Sequence, residues 1–158
     1  MGGRLVLKIL AEGEQFYKQS TQVKEFILQP QSEWYLFRKT IKEMGFVCEK
    51  EDMVFEDGKY YPMGRYYFAG INLAENKTGN VAETSDAEDI FYEYGEFLLK
   101  EKNDVLYDFL LKEERQLLQI KASLDGMKNE AEREKRYHEV EEKLHKNKSA
   151  RDFYISFK

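Results

Sequence analysis

Two short stretches have residue types and spacing that could serve chemistry. Met1-Gly2-Gly3 stands directly before a helical pattern, and glycines there let main chain approach a ligand at a helix N-terminus. The competing reading is ordinary N-terminal residues with no role. Gln29-Pro30 follows a short apolar run, and ligands of open α/β sheets bind outside the carboxyl ends of strands. A glutamine amide there could pair with a base edge; equally, these residues could simply lead into the next helix.

Other chemistries find little support. Glu51-Asp52 and Glu56-Asp57 sit in a hairpin pattern, where acidic turn residues are ordinary, so no general acid–base pair stands out. His138 and His145 lie among charged residues of a helical pattern and read as solvated. Cys48, the only cysteine, reads as a core residue and allows no intramolecular disulfide or cysteine-based zinc cluster. No metal site is expected, and no phosphate-loop or nucleophile motif occurs. The one plausible phosphate-contacting patch is Lys135, Arg136, Lys143, Lys146, Lys148 and Arg151, with no acid between Glu142 and Asp152. Against it, residues 128–151 hold eight Lys/Arg and six Glu, the balance of a solvated helix face.

The elements that must position these residues can be read from periodicity and punctuation. A helix over 3–12 ends at Gly13; Glu25–Pro30 contains a buried strand; Ser32 caps a helix running to Met44, stopped by Gly45. The runs 46–55 and 59–69 flank Asp57-Gly58, the strongest short hairpin signal, while Pro62 implies a ladder break or an edge. Residues 71–85 turn polar and mark a linker between a unit over 1–70 and a helical unit over 86–158. Helices are expected over 86–101, 104–124 and 127–148, the last two packed antiparallel as a hairpin. At 158 residues the chain is long enough for one core, with room for an appended segment; its net charge of −5 excludes a protein that grips nucleic acid over its whole surface. No run approaches a membrane span and no signal peptide is evident, so the expected setting is the cytoplasm.

Residues 1–10 (MGGRLVLKIL), 26–30 (FILQP) and 56–61 (EDGKYY), in that order and spacing, resemble the second half of the bacterial tRNA adenine-22 N1-methyltransferase family. Residues 95–103 (GEFLLKEKN) are similar to the start of that family's C-terminal helical domain. The resemblance implies the C-terminal part of a Rossmann-like class I methyltransferase sheet, followed by an all-α, coiled-coil-like helical hairpin that helps hold tRNA. It implies S-adenosylmethionine as cofactor, with Met1, Gly2 and Gly3 matching the last three residues of a Gly-Met-Gly-Gly motif beside the methyl donor. Gly2, Gly3, Gln29 and Pro30 would line the active site.

The chain starts inside that motif, so the family's first four strands, roughly 90 residues, are expected to lie outside it. A truncated enzyme that is inactive as this chain alone is the resulting expectation, with a noncatalytic RNA- or protein-binding helical module as the alternative. A sheet lacking its fourth strand would expose an edge, which predicts a homodimer or a rearranged N-terminus covering it.

Overall fold

Ten elements are present in the computed structural model, which describes residues 1–19, 25–70 and 85–157. Helix α1 (Gly3–Glu12) buries Val6, Leu7 and Leu10 and leaves Leu5 and Ile9 half exposed. It stops at Gly13 as expected, but the chain at once re-enters a short helix, α2 (Glu14–Gln19), that the sequence reading missed. Its function in the fold is to sink Tyr17 among Phe26, Phe46 and Phe68, with ring centroids 5.0–5.7 Å away.

Strand β1 (Phe26–Leu28) is where the apolar run placed it, but it is not a buried strand. Among the described residues it pairs with one neighbour only, and Ile27 is 65% exposed. Helix α3 (Trp34–Glu43) begins at Glu33, which has φ +58° and caps no amide of α3 with its side chain; Glu33 Oε2 accepts from Arg4 N–H at the start of α1 instead. The expectation that Ser32 caps this helix is thereby corrected: the Ser32 carbonyl instead accepts a hydrogen bond from Gly3 N–H. Gly45, with φ +89°, ends α3 in the left-handed conformation expected of it.

Strands β2 (Phe46–Glu56) and β3 (Lys59–Phe68) form the anticipated hairpin. Asp57 and Gly58 both have positive φ, +48° and +78°, the mark of a type I′ turn. The sheet order is β1-β3-β2, antiparallel throughout, with a register shift between Cys48 and Lys50. Pro62 lies on the central strand yet avoids a lost ladder bond. Residue alternation from the closing pair Glu56–Lys59 turns its nitrogen away from β2, towards a stretch that β1, paired only with residues 64–66, does not reach.

The C-terminal part comprises α4 (Ser85–Tyr94), α5 (Glu96–Lys100), α6 (Asp104–Leu124) and α7 (Glu130–Ser156). The helix expected over 86–101 is broken at Gly95, whose φ is +98°. Asn103 and Asn129 each cap the next helix, their side-chain oxygens accepting from Leu106 and Glu132 N–H. The last helix starts later than expected and runs on to Ser156. The pairing of α6 with α7 is the expected antiparallel hairpin: Arg151 pairs with Glu114 while Lys121 pairs with Glu141. Most of the stretch read as a linker lies outside the described residues.

The core comes in three clusters. One joins α1, α2 and α3 to the sheet around Phe37, Ile41, Phe46 and Tyr66. A second joins Met53 of β2 to Ile90, Tyr94, Leu98, Leu99, Leu106, Leu110 and Ala150 of the helical part. The third, Leu117, Leu124 and Val140, packs the far end of the helical hairpin. Between the first two lies a buried ion pair, Arg38 Nε to Glu51 Oε1 at 2.7 Å. Glu51 Oε2 also accepts from Phe97 N–H, and Arg38 donates to the carbonyls of Tyr92 and Glu93. Sheet, α3 and the α4–α5 break are thus tied at one point.

Candidate functional site

The loop after β1 and the N-terminal residues are held together by main chain. Gln31 N–H donates to the Met1 carbonyl at 2.8 Å, and Gly3 N–H to the Ser32 carbonyl at 3.0 Å. The Gly2 carbonyl accepts from Leu5 and Val6 N–H, which starts α1. A β-carbon on Gly3 would lie 2.8 Å from the Ser32 carbonyl oxygen, and one on Gly2 3.1 Å from Ser32 Oγ. Arg4 Nε binds Glu33 Oε1 at 2.5 Å across the same junction. Gln29 is exposed, while Pro30 is buried and its carbonyl accepts from the Trp34 indole N–H at 3.1 Å. Met1, Gly2, Gly3, Gln29 and Pro30 therefore gather at the carboxyl end of β1, offering main-chain groups and one free amide.

Glu51, Asp52 and Cys48 have structural partners. Glu51 sits in the buried ion pair, and Asp52 accepts from Met53 N–H and Asn103 Nδ2. The Cys48 thiol is pushed up to about 12 by burial and by the nearby Glu51 carboxylate, so it stays protonated at neutral pH. His138 is exposed beside Glu142. Among the described residues no group of three or more His, Cys, Asp or Glu could hold a metal ion.

The basic residues of α7 differ in how free they are. Lys135 and Lys143 are exposed. Arg136 pairs with Glu132 at 3.1 Å, Lys148 with Asp152 at 2.6 Å and Lys146 with Asp89 at 3.6 Å, the last also lying over the Tyr35 ring. Arg151 is engaged with Glu114 and with Asn147 Oδ1, whose Nδ2 donates to the Leu110 carbonyl and to Glu113.

A feature absent from the sequence reading is an aromatic path. Trp34 meets Phe109 at 5.4 Å, Phe109 meets Tyr60 at 5.1 Å, and Tyr60 meets Phe55 at 4.6 Å between ring centroids. The available signal was that Phe55 and Tyr60 flank Asp57-Gly58 as a cross-strand pair.

The sequence model of the tRNA (adenine(22)-N(1))-methyltransferase family matches residues 1–149. The chain belongs to that family. No curated protein matches it. Among solved structures it is similar to an uncharacterised protein of Listeria monocytogenes serotype 4b, with 21% identity and a TM-score of 0.74, covering 95% of this chain and 59% of that one. It is similar to Streptococcus pneumoniae Sp1610 in complex with S-adenosyl-L-methionine, with 23% identity, a TM-score of 0.66, and 95% and 56% covered. It is also similar to the Bacillus subtilis m1A22 tRNA methyltransferase TrmK, with 21% identity, a TM-score of 0.69, and 95% and 59% covered. These likenesses establish the Rossmann-like methyltransferase fold, and the chain spans under three-fifths of the length of those structures. No helix among the described residues is long and apolar enough to cross a membrane.

The fit of the methyl donor to these residues is incomplete. Gly2 and Gly3 are accounted for by their approach to Ser32, and Glu33, the carboxylate beside them, is held by Arg4. Met1, Gly2 and Gly3 supply a wall of main chain, one side of such a site.

Proposed function

We propose that this chain is the substrate-facing part of an S-adenosylmethionine-dependent tRNA methyltransferase that modifies N1 of adenine-22, and that it is inactive alone. The observation that carries this reading is the pair of hydrogen bonds holding Met1–Gly3 to Gln31–Ser32. In a chain of this family, they set the glycine motif beside the Leu28-Gln29-Pro30 exit of β1. Because N1 lies on the Watson–Crick edge of adenine, the base must leave its stack to react. The exposed Gln29 amide oxygen can accept from the N6 amino group on that edge and leave the N1 lone pair free to attack, buried Pro30 stiffens its approach, and the small Gly2 and Gly3 let main chain come near. The methyl group is the cofactor's contribution. Lys135, Arg136, Lys143, Lys146, Lys148 and Arg151 are the proposed phosphate contacts, and the tRNA partner implies the cytoplasm.

The second reading, a noncatalytic RNA- or protein-binding module, is favoured by the exposed Lys135 and Lys143 of α7. A chimera in which the N-terminal part of the Bacillus subtilis enzyme precedes Met1 separates the two. The enzyme reading expects it to methylate a tRNA transcript carrying adenine-22, seen as a primer-extension stop, and to lose most of that activity on Gln29→Ala. A folded chimera that binds tRNA with no methyl transfer supports the module instead.

A further inference from the structure

Between the β2–β3 hairpin and α6 runs a groove of about 280 Å³, lined by Phe55 and Tyr60 on one side and by Val105, Asp108, Lys112 and Arg115 on the other. We propose that this groove binds one unstacked RNA nucleotide, with its base against Phe55 and its phosphate on Lys112 and Arg115. The proposal rests on the reading that the partner is RNA, and locates a contact that reading does not contain.

Three observations carry it. First, Phe55 is 52% exposed although it stands beside Tyr60 on a well-formed hairpin, leaving ring surface uncovered. An aromatic surface of this kind accepts any base, because every base has a π face. Second, Lys112 Nζ lies 5.1 Å from the Tyr60 ring centroid and 5.7 Å from that of Phe55, and Arg115 follows one turn later on α6. Among the described residues neither cation has a carboxylate ion-pair partner, whereas Arg136, Lys146, Lys148 and Arg151 of α7 all do. Unpaired cations give up only counterions when they meet a phosphate. Asp108 leaves the lining with an excess of one positive charge and provides an acceptor for a base amino group. Third, the groove is the outer end of the aromatic path Phe55–Tyr60–Phe109–Trp34, which reaches the Pro30 carbonyl through the Trp34 indole. A strand with one nucleotide at the end of β1 would have a second stacking position along the same surface. The volume, just below the usual range for small-molecule pockets, suits a single base.

The test uses the full chain and a fluorescein-labelled single-stranded RNA of about ten nucleotides, followed by anisotropy. Phe55→Ala should weaken binding about tenfold and Phe55→Trp should restore it. Replacing Lys112 and Arg115 together by Gln should lower the dependence of log K on log salt by about 0.7, the increment for the one phosphate deprived of its cations. Phe55→Ala gives up the Tyr60 ring contact and part of the Lys112 cation–π contact, so binding is compared well below the melting temperature of each variant, and Phe55→Trp, which keeps an aromatic ring beside Tyr60, separates lost stacking from lost stability. Trp34, the only tryptophan, gives an independent fluorescence readout of occupancy. Binding unchanged in all three variants, a duplex bound as tightly as the single strand, or no RNA binding by the parent chain would each overturn the proposal. Methylation by the chimera despite unaffected oligonucleotide binding in Phe55→Ala would overturn the groove and leave the enzyme reading standing. Phe55-dependent binding with an inactive chimera would do the reverse.

Discussion

Arg38 and Glu51 are separated by 13 positions in the chain, and their side chains are 10% and 5% exposed. A charge so buried is tolerable only with its partner and its hydrogen bonds in place, and both are complete here. Glu51→Leu should therefore lower unfolding free energy by about 3–5 kcal/mol in urea, because it strands the guanidinium. Lys148→Gln, which breaks an exposed pair, should change it by less than about 0.5 kcal/mol. Glu93 gives a pH prediction of definite sign. Burial raises its carboxyl above the ordinary value, against the pull of Lys146 and Lys143. Folding thus favours the protonated form, and that contribution is full below the unfolded pKa and lost as pH rises through the folded one. Glu93→Gln should remove this loss, so the variant gains stability relative to the parent between about pH 4 and neutrality in urea titrations. Cys48, half-buried and held protonated, should resist iodoacetamide at neutral pH until denaturant opens the hairpin. The Lys148–Asp152 pair is legible as an i,i+4 spacing on a helix, but the Arg38–Glu51 partnership is not. Glu51 could be assigned to a hairpin and judged structural, but its partner depends on how α3 crosses the sheet.

Elements were legible where their signal was local. Asp57-Gly58 dictates its own turn, and Gly45 and Asn103 act on adjacent residues. Gly95 was not legible, because good helix formers surround it and a lone glycine costs a helix only about 1 kcal/mol. Its role appears only in three dimensions. A β-carbon there would lie 2.8 Å from Glu51 Oε2 and 3.0 Å from Arg38 Nη2, on a backbone with φ +98°. Gly95→Ala should cost at least about 2 kcal/mol, while Gly126→Ala, whose nearest neighbour would be 3.8 Å away, should be neutral within about 0.5 kcal/mol. Two equilibrium unfolding curves decide the contrast. The apolar run before Pro30 marked β1 but not its exposure, which depends on how many neighbours the strand has. The candidate site was legible in part: the glycine motif and Gln29-Pro30 stood out, whereas the aromatic path needs hairpin and helix brought together.

On the scale of the molecule, the β1 edge is open among the described residues, and Leu5, Ile9, Phe16 and Ile27 nearby are 49–68% exposed. An uncovered strand edge with apolar neighbours favours pairing with another chain. We expect this chain to scatter light as a dimer or larger species and Ile27→Lys to shift it towards monomer; a parent chain that stays monomeric at the same concentration would refute this. The opposite end of the molecule is built differently. The shared core around Met53 and the Arg38–Glu51 knot leave the α6–α7 arm no loose joint at its root. Helix α6 has 21 residues, so its tip projects about 30 Å from its start. In the proposed reaction such an arm is a calliper: a folded RNA fits only when the feature touched by the tip lies at a set span from the base to be modified, so substrates can be sorted by shape without a single letter of their sequence being read.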